Sequence, residues 1–307
     1  MISIVIPLFN KEKTIVSTLE SVLKQTFQDY EVLVVDDGST DESLKQVLSV
    51  DDSRIRIIKQ DNAGVSAARN RGIKEAGSEL IAFLDADDYW KEDYLQTQMD
   101  LVKKYPQCVV WATAYEIWNS HGTVTPIILN KINFKGHDGI LKNYFEVAAC
   151  SSPPVWTSAV VIRKSELERV GGFPEGIGNG EDLLTWAKLF FRGLFAYTIE
   201  PKAVYLVDEE LYNEDQKKRI PARVDYVGQE LEKMYRHNEC IPGLKSYVGL
   251  WYKMRGRHAI SRFNRSLAAR ELCKALKYSL NIKSVVLLGL CFLPLSLSNK
   301  IIRRFSS

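Results

Sequence analysis

Apolar and polar positions come in regular blocks over the first ninety residues. "ISIVIPLF" (2–9) is a nearly unbroken apolar run, as expected of a strand covered on both faces. "KEKTIVSTLESVLKQT" (11–26) places Ile15, Leu19, Val22 and Leu23 at helical spacing. "YEVLVVDDGS" (30–39) predicts a second strand, "DESLKQVLSV" (41–50) a short helix and "RIRIIKQ" (54–60) a third strand. "GVSAARNRGIKEAG" (64–77) predicts a helix ended by Gly77, and "ELIAFLD" (79–85) a fourth strand. The order β-α-β-α-β-α-β with short links predicts an α/β fold. Its sheet is Rossmann-like and mostly parallel, with helices on both faces. Right-handed crossovers bring the carboxyl ends of the four strands to one edge, where open α/β sheets bind ligands.

That edge is acidic. It collects Asp36 and Asp37 after the second strand, Asp61 after the third, and Asp85, Asp87 and Asp88 after the fourth. Carboxylates so close repel one another, so either water or a cation has to compensate them.

From residue 91 the pattern loosens. "KEDYLQTQMDLVKKYP" (91–106) reads as an amphipathic helix stopped by Pro106, and 108–115 and 155–164 read as strands. "GGFPEGIGNG" (171–180) holds five glycines and is expected to be mobile where it runs into the helix of "EDLLTWAKLFFRG". Beyond 215 the chain turns basic and helical. Residues 1–215 carry 22 Lys+Arg against 33 Asp+Glu, and residues 216–307 carry 19 against 5, so −11 and +14 sum to the net +3. We expect a catalytic domain over 1–215 and a basic helical extension over 216–307. The five cysteines show no C-x-x-C spacing, which fits neither a disulfide framework nor a zinc site and suits a reducing cytosol. "MISIVIPLFN" has no basic n-region or cleavage site and reads as a first strand.

Three acidic motifs each carry two readings. "VVDDGSTD" (34–41) is either a solvated turn with Thr40 capping the next helix, or a place where Asp37 takes a pyrimidine N3–H or a ribose hydroxyl. "DADD" (85–88) is either a turn with Asp88 as a helix cap, or a D-x-D whose oxygens hold Mg2+ or Mn2+ against a nucleotide diphosphate. "GNGEDLLTW" (178–186) either complements a helix dipole or offers Asp182 as a general base.

Taken together, D-D-x-S after the second strand, "DNAGVSAARN" (61–70), "LDADD" and the late "GED" resemble the family 2 inverting glycosyltransferases of the GT-A fold. The resemblance covers roughly residues 1–210 and extends to "IPLFN" and "SVLKQTFQDYEVLVVDDGSTD". It implies that Pro7 and Phe9 border a nucleotide base, that Asp37 binds the uracil of a UDP-sugar, and that Asp85 lies near the ribose or the metal's water. It also makes Asp87 the cation ligand, Asp182 the catalytic base and Glu181 a neighbour of the acceptor, with Arg69 or Asn70 along the donor pocket. Many relatives have a histidine metal ligand after a late strand; here "AVYLVDEE" (203–210) puts Asp208 in its place. The Q-x-x-R-W of processive members is absent, which implies transfer of one sugar per visit; Asp182 as the one base, with no enzymic nucleophile, implies direct displacement with inversion.

The tail adds a partner. "KSVVLLGLCFLPLSLSNKIIRRF" (283–305) has an apolar core of 13 residues, Val285 to Leu297, where a bilayer span needs about 20. With the basic, aromatic and apolar mixture of residues 251–280 it reads as a segment for an anionic membrane surface, the alternative being a helix packed on the catalytic domain. Nucleic acid is disfavoured because the acidic body would oppose it. The expected enzyme is therefore cytoplasmic, peripheral at the inner face of the cell membrane, and acts on a lipid-linked or surface-polysaccharide glycan. Two other functions compete. A sugar-1-phosphate nucleotidyltransferase would need a Gly-rich basic loop after the first strand, and "IPLFNKEKT" has no glycine. The other is a binding protein for nucleotide-sugars or membrane surfaces that keeps the fold without turnover.

Overall fold

A computed structural model describes residues 1–207, 224–261 and 264–292, so Asp208, the expected third metal ligand, lies outside the described residues. The chain divides into two compact units, Met1–Tyr212 and Asn213–Ser307.

The first unit is built on one mixed sheet. Its elements are β1 (Ile2–Leu8), α1 (Ile15–Leu23), β2 (Tyr30–Asp37), α2 (Ser43–Leu48), β3 (Ile55–Gln60), α3 (Val65–Glu75), β4 (Leu80–Phe83), β5 (Tyr89–Trp90) and α4 (Tyr94–Lys104). There follow β6 (Val110–Asn119), β7 (Val124–Pro126), β8 (Asp138–Ile140), α5 (Tyr144–Cys150), a 3-10 turn (Thr157–Ala159), β9 (Val160–Arg163), α6 (Lys164–Arg169), α7 (Glu181–Phe190) and β10 (Phe195–Val207). The sheet order is β3-β2-β1-β4-β9-β6-β10-β5, with β7 added on β6 and β8 on β10.

β3, β2, β1 and β4 are parallel neighbours, as the blocks of the first ninety residues predict. All seven residues of β1 are buried, which is why that run carries no polar alternation. α3 lies directly on β1. A Cβ added at Gly72 would meet Val5 Cγ1 at 2.2 Å, so only a residue without a side chain permits this approach.

The second half of the sheet is mixed. β9 runs antiparallel to both β4 and β6, and β10 pairs parallel with β6. The strand expected over 155–164 shrinks to Val160–Arg163, because Thr157–Ala159 form the 3-10 turn instead. Two expected helix caps also differ. Thr40 gives its N–H to Asn10 Oδ1 at 2.8 Å, and the Ser43 N–H goes to Asp41 Oδ1 at 2.9 Å. Asp88 is buried and caps nothing; Asp93 stands before α4.

The second unit contains α8 (Tyr226–His237), α9 (Leu244–Ser261), α10 (Arg265–Tyr278) and α11 (Ile282–Leu290). α9 and α10 pack closely: a Cβ at Gly256 would meet Leu272 Cγ at 2.6 Å. Buried Arg255 donates from Nε to Glu271 Oε2 at 3.1 Å and stands 3.3 Å from Asp225 Oδ2. Asp225 in turn caps α8 by accepting from the Gly228 N–H. On α11, Ile282, Val285 and Val286 are exposed. Among the described residues no helix is long and apolar enough to cross a membrane.

Candidate active site

The loops at the carboxyl ends of β1, β2 and β3 are sewn together by side chains. Asn10, at φ 52°, accepts the Thr40 N–H and gives its own N–H to Ser39 Oγ at 3.2 Å. The Lys11 N–H goes to Ser43 Oγ at 2.7 Å. Pro7 is buried within β1 opposite Val35, and Phe9 beyond the strand is 44% exposed.

Asp37 is buried at the end of β2 and organises the turn into α3. Its Oδ1 accepts from Gln60 Nε2 at 2.7 Å and from the Ala63 N–H at 2.9 Å, and its Oδ2 accepts from the Gly64 N–H at 2.8 Å. A carboxylate offers about four acceptor sites, so three protein donors leave room for one further N–H.

Beyond β4 the chain leaves the sheet, and residues 85–88 form a loop in which each aspartate meets a different compensation. Asp85 Oδ1 accepts from Arg69 Nη2 at 2.7 Å. Asp87 Oδ2 accepts from Lys11 Nζ at 2.5 Å. Asp88 is buried, and its Oδ2 accepts from Ser158 Oγ at 2.5 Å. Burial, and then the neighbouring charges of Asp87 and Asp85, push the Asp88 carboxyl well above the usual carboxylate range. Ser158 also receives the Asp85 N–H at 3.1 Å, so the 3-10 turn supports the whole loop from below.

Arg69 ties this loop to α7. Its guanidinium is buried, reaches Glu181 Oε1 at 3.3 Å from Nη1, and lies 5.2 Å from the centroid of the Phe173 ring. Burial works against its charge, but Asp85 and Glu181 outweigh burial and hold the proton more firmly than usual. Asp182 follows at the first turn of α7 and accepts the Leu183 N–H at 2.7 Å. Burial first, then Glu181, push its carboxyl up to about 6, while the Leu183 N–H and Arg69 pull it down. A carboxylate tuned to that value can take a proton near neutral pH.

The glycine-rich loop is held more firmly than expected in its first half. Asn70 donates from Nδ2 to Phe173 O at 2.8 Å and accepts the Phe173 N–H at 2.8 Å. Phe173 packs edge-on against Phe83 and Trp186. A separate aromatic cluster joins β6, the entry to the 3-10 turn and β10: Tyr115 and Trp156 lie 4.6 Å apart between ring centroids, and Trp156 and Tyr205 5.3 Å. The charge of Asp182 is felt at Tyr115.

Asp85, Glu181 and Asp182 are thus brought together through Arg69, with Asp87 two residues along the loop. Asn70 holds the loop from α6 to α7. Sequence reasoning did not single out Lys11 or Ser158; neither lies in a motif, and only their spacing to the aspartates in three dimensions reveals them.

The GT-A fold is the class that this sheet and its acidic edge define. Residues 3–153, just under half of the chain, match the sequence profile described as Glycosyl transferase family 2. It is 37% identical over 145 residues to the UDP-Glc:alpha-D-GlcNAc-diphosphoundecaprenol beta-1,3-glucosyltransferase WfgD of Escherichia coli, covering 47% of this chain and 56% of that one. Over 190 residues it is 30% identical to an uncharacterized glycosyltransferase of Rickettsia felis, covering 61% of this chain and 30% of the relative's length. Among solved structures it superposes on S. aureus TarS 1–349 in complex with UDP-GlcNAc with a TM-score of 0.60 and 19% identity, covering 94% of this chain and 90% of that chain. The mannosyltransferase PcManGT of Pyrobaculum calidifontis, in complex with GDP-Man and Mn2+, gives a TM-score of 0.59 and 20% identity, covering 94% and 78%. These likenesses establish the GT-A fold.

Proposed function

We propose that this chain transfers a single sugar from a UDP-sugar to a hydroxyl of a lipid-linked or surface-polysaccharide glycan, with inversion at the anomeric carbon. The observation that carries the reading is Asp182, pushed up to about 6 beside an acidic loop that Arg69 anchors. An acceptor hydroxyl gives its proton to Asp182 and attacks the anomeric carbon from the face opposite the nucleotide. One base and no enzymic nucleophile invert that centre. Glu181 stays ion-paired to Arg69 on the acceptor side. Asp37 keeps one acceptor site for the uracil N3–H, and Pro7 and exposed Phe9 border the base.

A divalent cation fits the donor set. Among the described residues no three His, Cys, Asp or Glu side chains form a cage. Mg2+ and its analogues at phosphate sites rely on only one or two carboxylates, with phosphates and water completing the shell. Asp87, partly exposed on the loop, supplies such an oxygen, and Asp208 is proposed as a further ligand. When bound, the cation neutralises charge on the departing diphosphate.

The lipid-linked acceptor is supported by the name of the E. coli relative and by the basic C-terminal unit. Contact of that unit with an anionic membrane surface at the inner face of the cell membrane completes the reading. Calorimetry of UDP binding, with and without Mn2+, on wild type and Asp87→Ala, is the test. UDP affinity that Mn2+ strengthens, with that gain lost in the variant, supports the donor site and its cation. Binding indifferent to both removes the metal role and leaves a nucleotide-binding protein without the proposed chemistry.

A further inference from the structure

Within the window 85–88 the three aspartates are compensated in three ways, and the cation at Asp87 comes from the β1–α1 loop. Asp85 is paired with Arg69, and Asp88 is buried against Ser158. Asp87 is the most exposed partner in these contacts, and Lys11 Nζ stands 2.5 Å from its Oδ2 with both side chains about one-third exposed, 33% and 36%. The Lys11 backbone is fixed: its N–H goes to Ser43 Oγ, and its carbonyl accepts the Thr14 and Ile15 N–H groups at 3.1 and 3.0 Å. A long cationic side chain is therefore delivered to the acidic edge from a rigid base. Phe9, two residues earlier on the same loop, is the exposed ring beside which the nucleotide base is proposed to lie.

A diphosphate entering this edge brings at least two negative charges towards a cluster of carboxylates. Such an approach is unfavourable unless a cation accompanies it. Lysine binds phosphate as a point charge without the fixed fork geometry that arginine requires. We propose that Lys11 is a diphosphate-binding residue of the donor site, moving its ammonium from Asp87 to the phosphates and giving the site a nucleotide affinity that does not depend on a metal. The inference rests on the UDP-sugar reading above and adds to it a protein-borne cation that the D-x-D motif does not contain.

The test is calorimetry in excess EDTA with two probes, UDP and uridine, which differ only in the diphosphate. Wild type should bind UDP more tightly than uridine. Lys11→Gln should lose about tenfold or more in UDP affinity, the size of one charge-assisted contact, while uridine affinity stays put and so reports an intact fold. Lys11→Arg should retain most of the UDP affinity.

A second role for Lys11 must be separated, that of merely masking Asp87. In EDTA, Asp87→Asn should bind UDP at least as tightly as wild type, because Lys11 is released. The double variant Lys11→Gln/Asp87→Asn should remain weak. Recovery of UDP affinity in the double variant, or equal UDP binding by wild type and Lys11→Gln, overturns the inference while the donor reading stands. If wild type binds neither UDP nor uridine, with or without Mn2+, the donor reading itself fails and takes this one with it.

Discussion

Arg69 Nη2 lies 2.7 Å from Asp85 Oδ1, and the same guanidinium reaches Glu181 on α7, so one buried cation joins the loop after β4 to the helix bearing the candidate base. Removing it leaves Asp85, Glu181 and Asp182 facing one another without compensation. Arg69→Leu should therefore cost about 3–5 kcal/mol of stability, the usual cost of leaving a buried charge unpaired. It should also raise the Asp182 carboxyl above about 6. The acidic limb of the pH–rate profile then moves to higher pH, which a loss of stability alone would not do. Arg69→Lys, with one point charge in place of a fork, should fall between the two.

Asp182 makes a prediction about pH with two opposite signs. As a base it works only when ionised, so turnover should rise as pH increases through about 6. For stability, the folded state holds this proton more tightly than the unfolded chain does. The benefit is complete below about pH 4 and is lost as pH rises through 6. At pH 7 and above the charged carboxylate is a burden of at most about 3 kcal/mol, by the usual conversion of pKa units. Asp182→Asn should thus lose about 10²–10⁴-fold in turnover, the range for a general base. It should also melt at a higher temperature than wild type at pH 8, a difference that vanishes at pH 4.

Asp88 should behave unlike its neighbour Asp87. Burial pushes its carboxyl far up, and Ser158 Oγ holds one oxygen at 2.5 Å. A carboxyl kept protonated is nearly matched by an amide. Asp88→Asn should change UDP affinity and melting temperature little, whereas Asp88→Ala, which removes the Ser158 contact and opens a gap, should cost about 1–3 kcal/mol. Denaturant titration of the two variants checks this.

The turn at Gly172 is predicted to be intolerant. Its φ is 67°, and an added Cβ would meet Asn70 Oδ1 at 2.4 Å. Gly172→Ala combines backbone strain with that clash and should cost about 1–3 kcal/mol. Asn70→Ala removes both bonds to Phe173 and should expose 171–180 to limited proteolysis while the rest of the unit stays resistant.

The readable part of this molecule was the part where burial writes itself into composition. β1 and β2 are covered almost wholly on both faces and are almost wholly apolar, and the aspartates at the end of β2 stand out against that background. The second half of the sheet was harder because β9 is only four residues long and a 3-10 turn precedes it, so an apolar run there looks like one longer strand. Arg69 illustrates a different limit. In the sequence it is one polar position on a helix, and only the approach of Asp85 and Glu181 from two other elements explains why an arginine is buried there. Thr40 shows the reverse: a good local cap was overruled because α2 starts only at Ser43, whose N–H goes to Asp41, while the Thr40 hydroxyl turns to Asn10 on another loop.

Gly72 sits one turn of α3 beyond Arg69, against the side chain of Val5 in the middle of β1. The two positions share a single volume, so their substitutions are not independent: an alanine at 72 is admissible only with a smaller residue at 5. Among related chains the pair should drift together, and the depth at which Arg69 meets its carboxylates is inherited from that agreement.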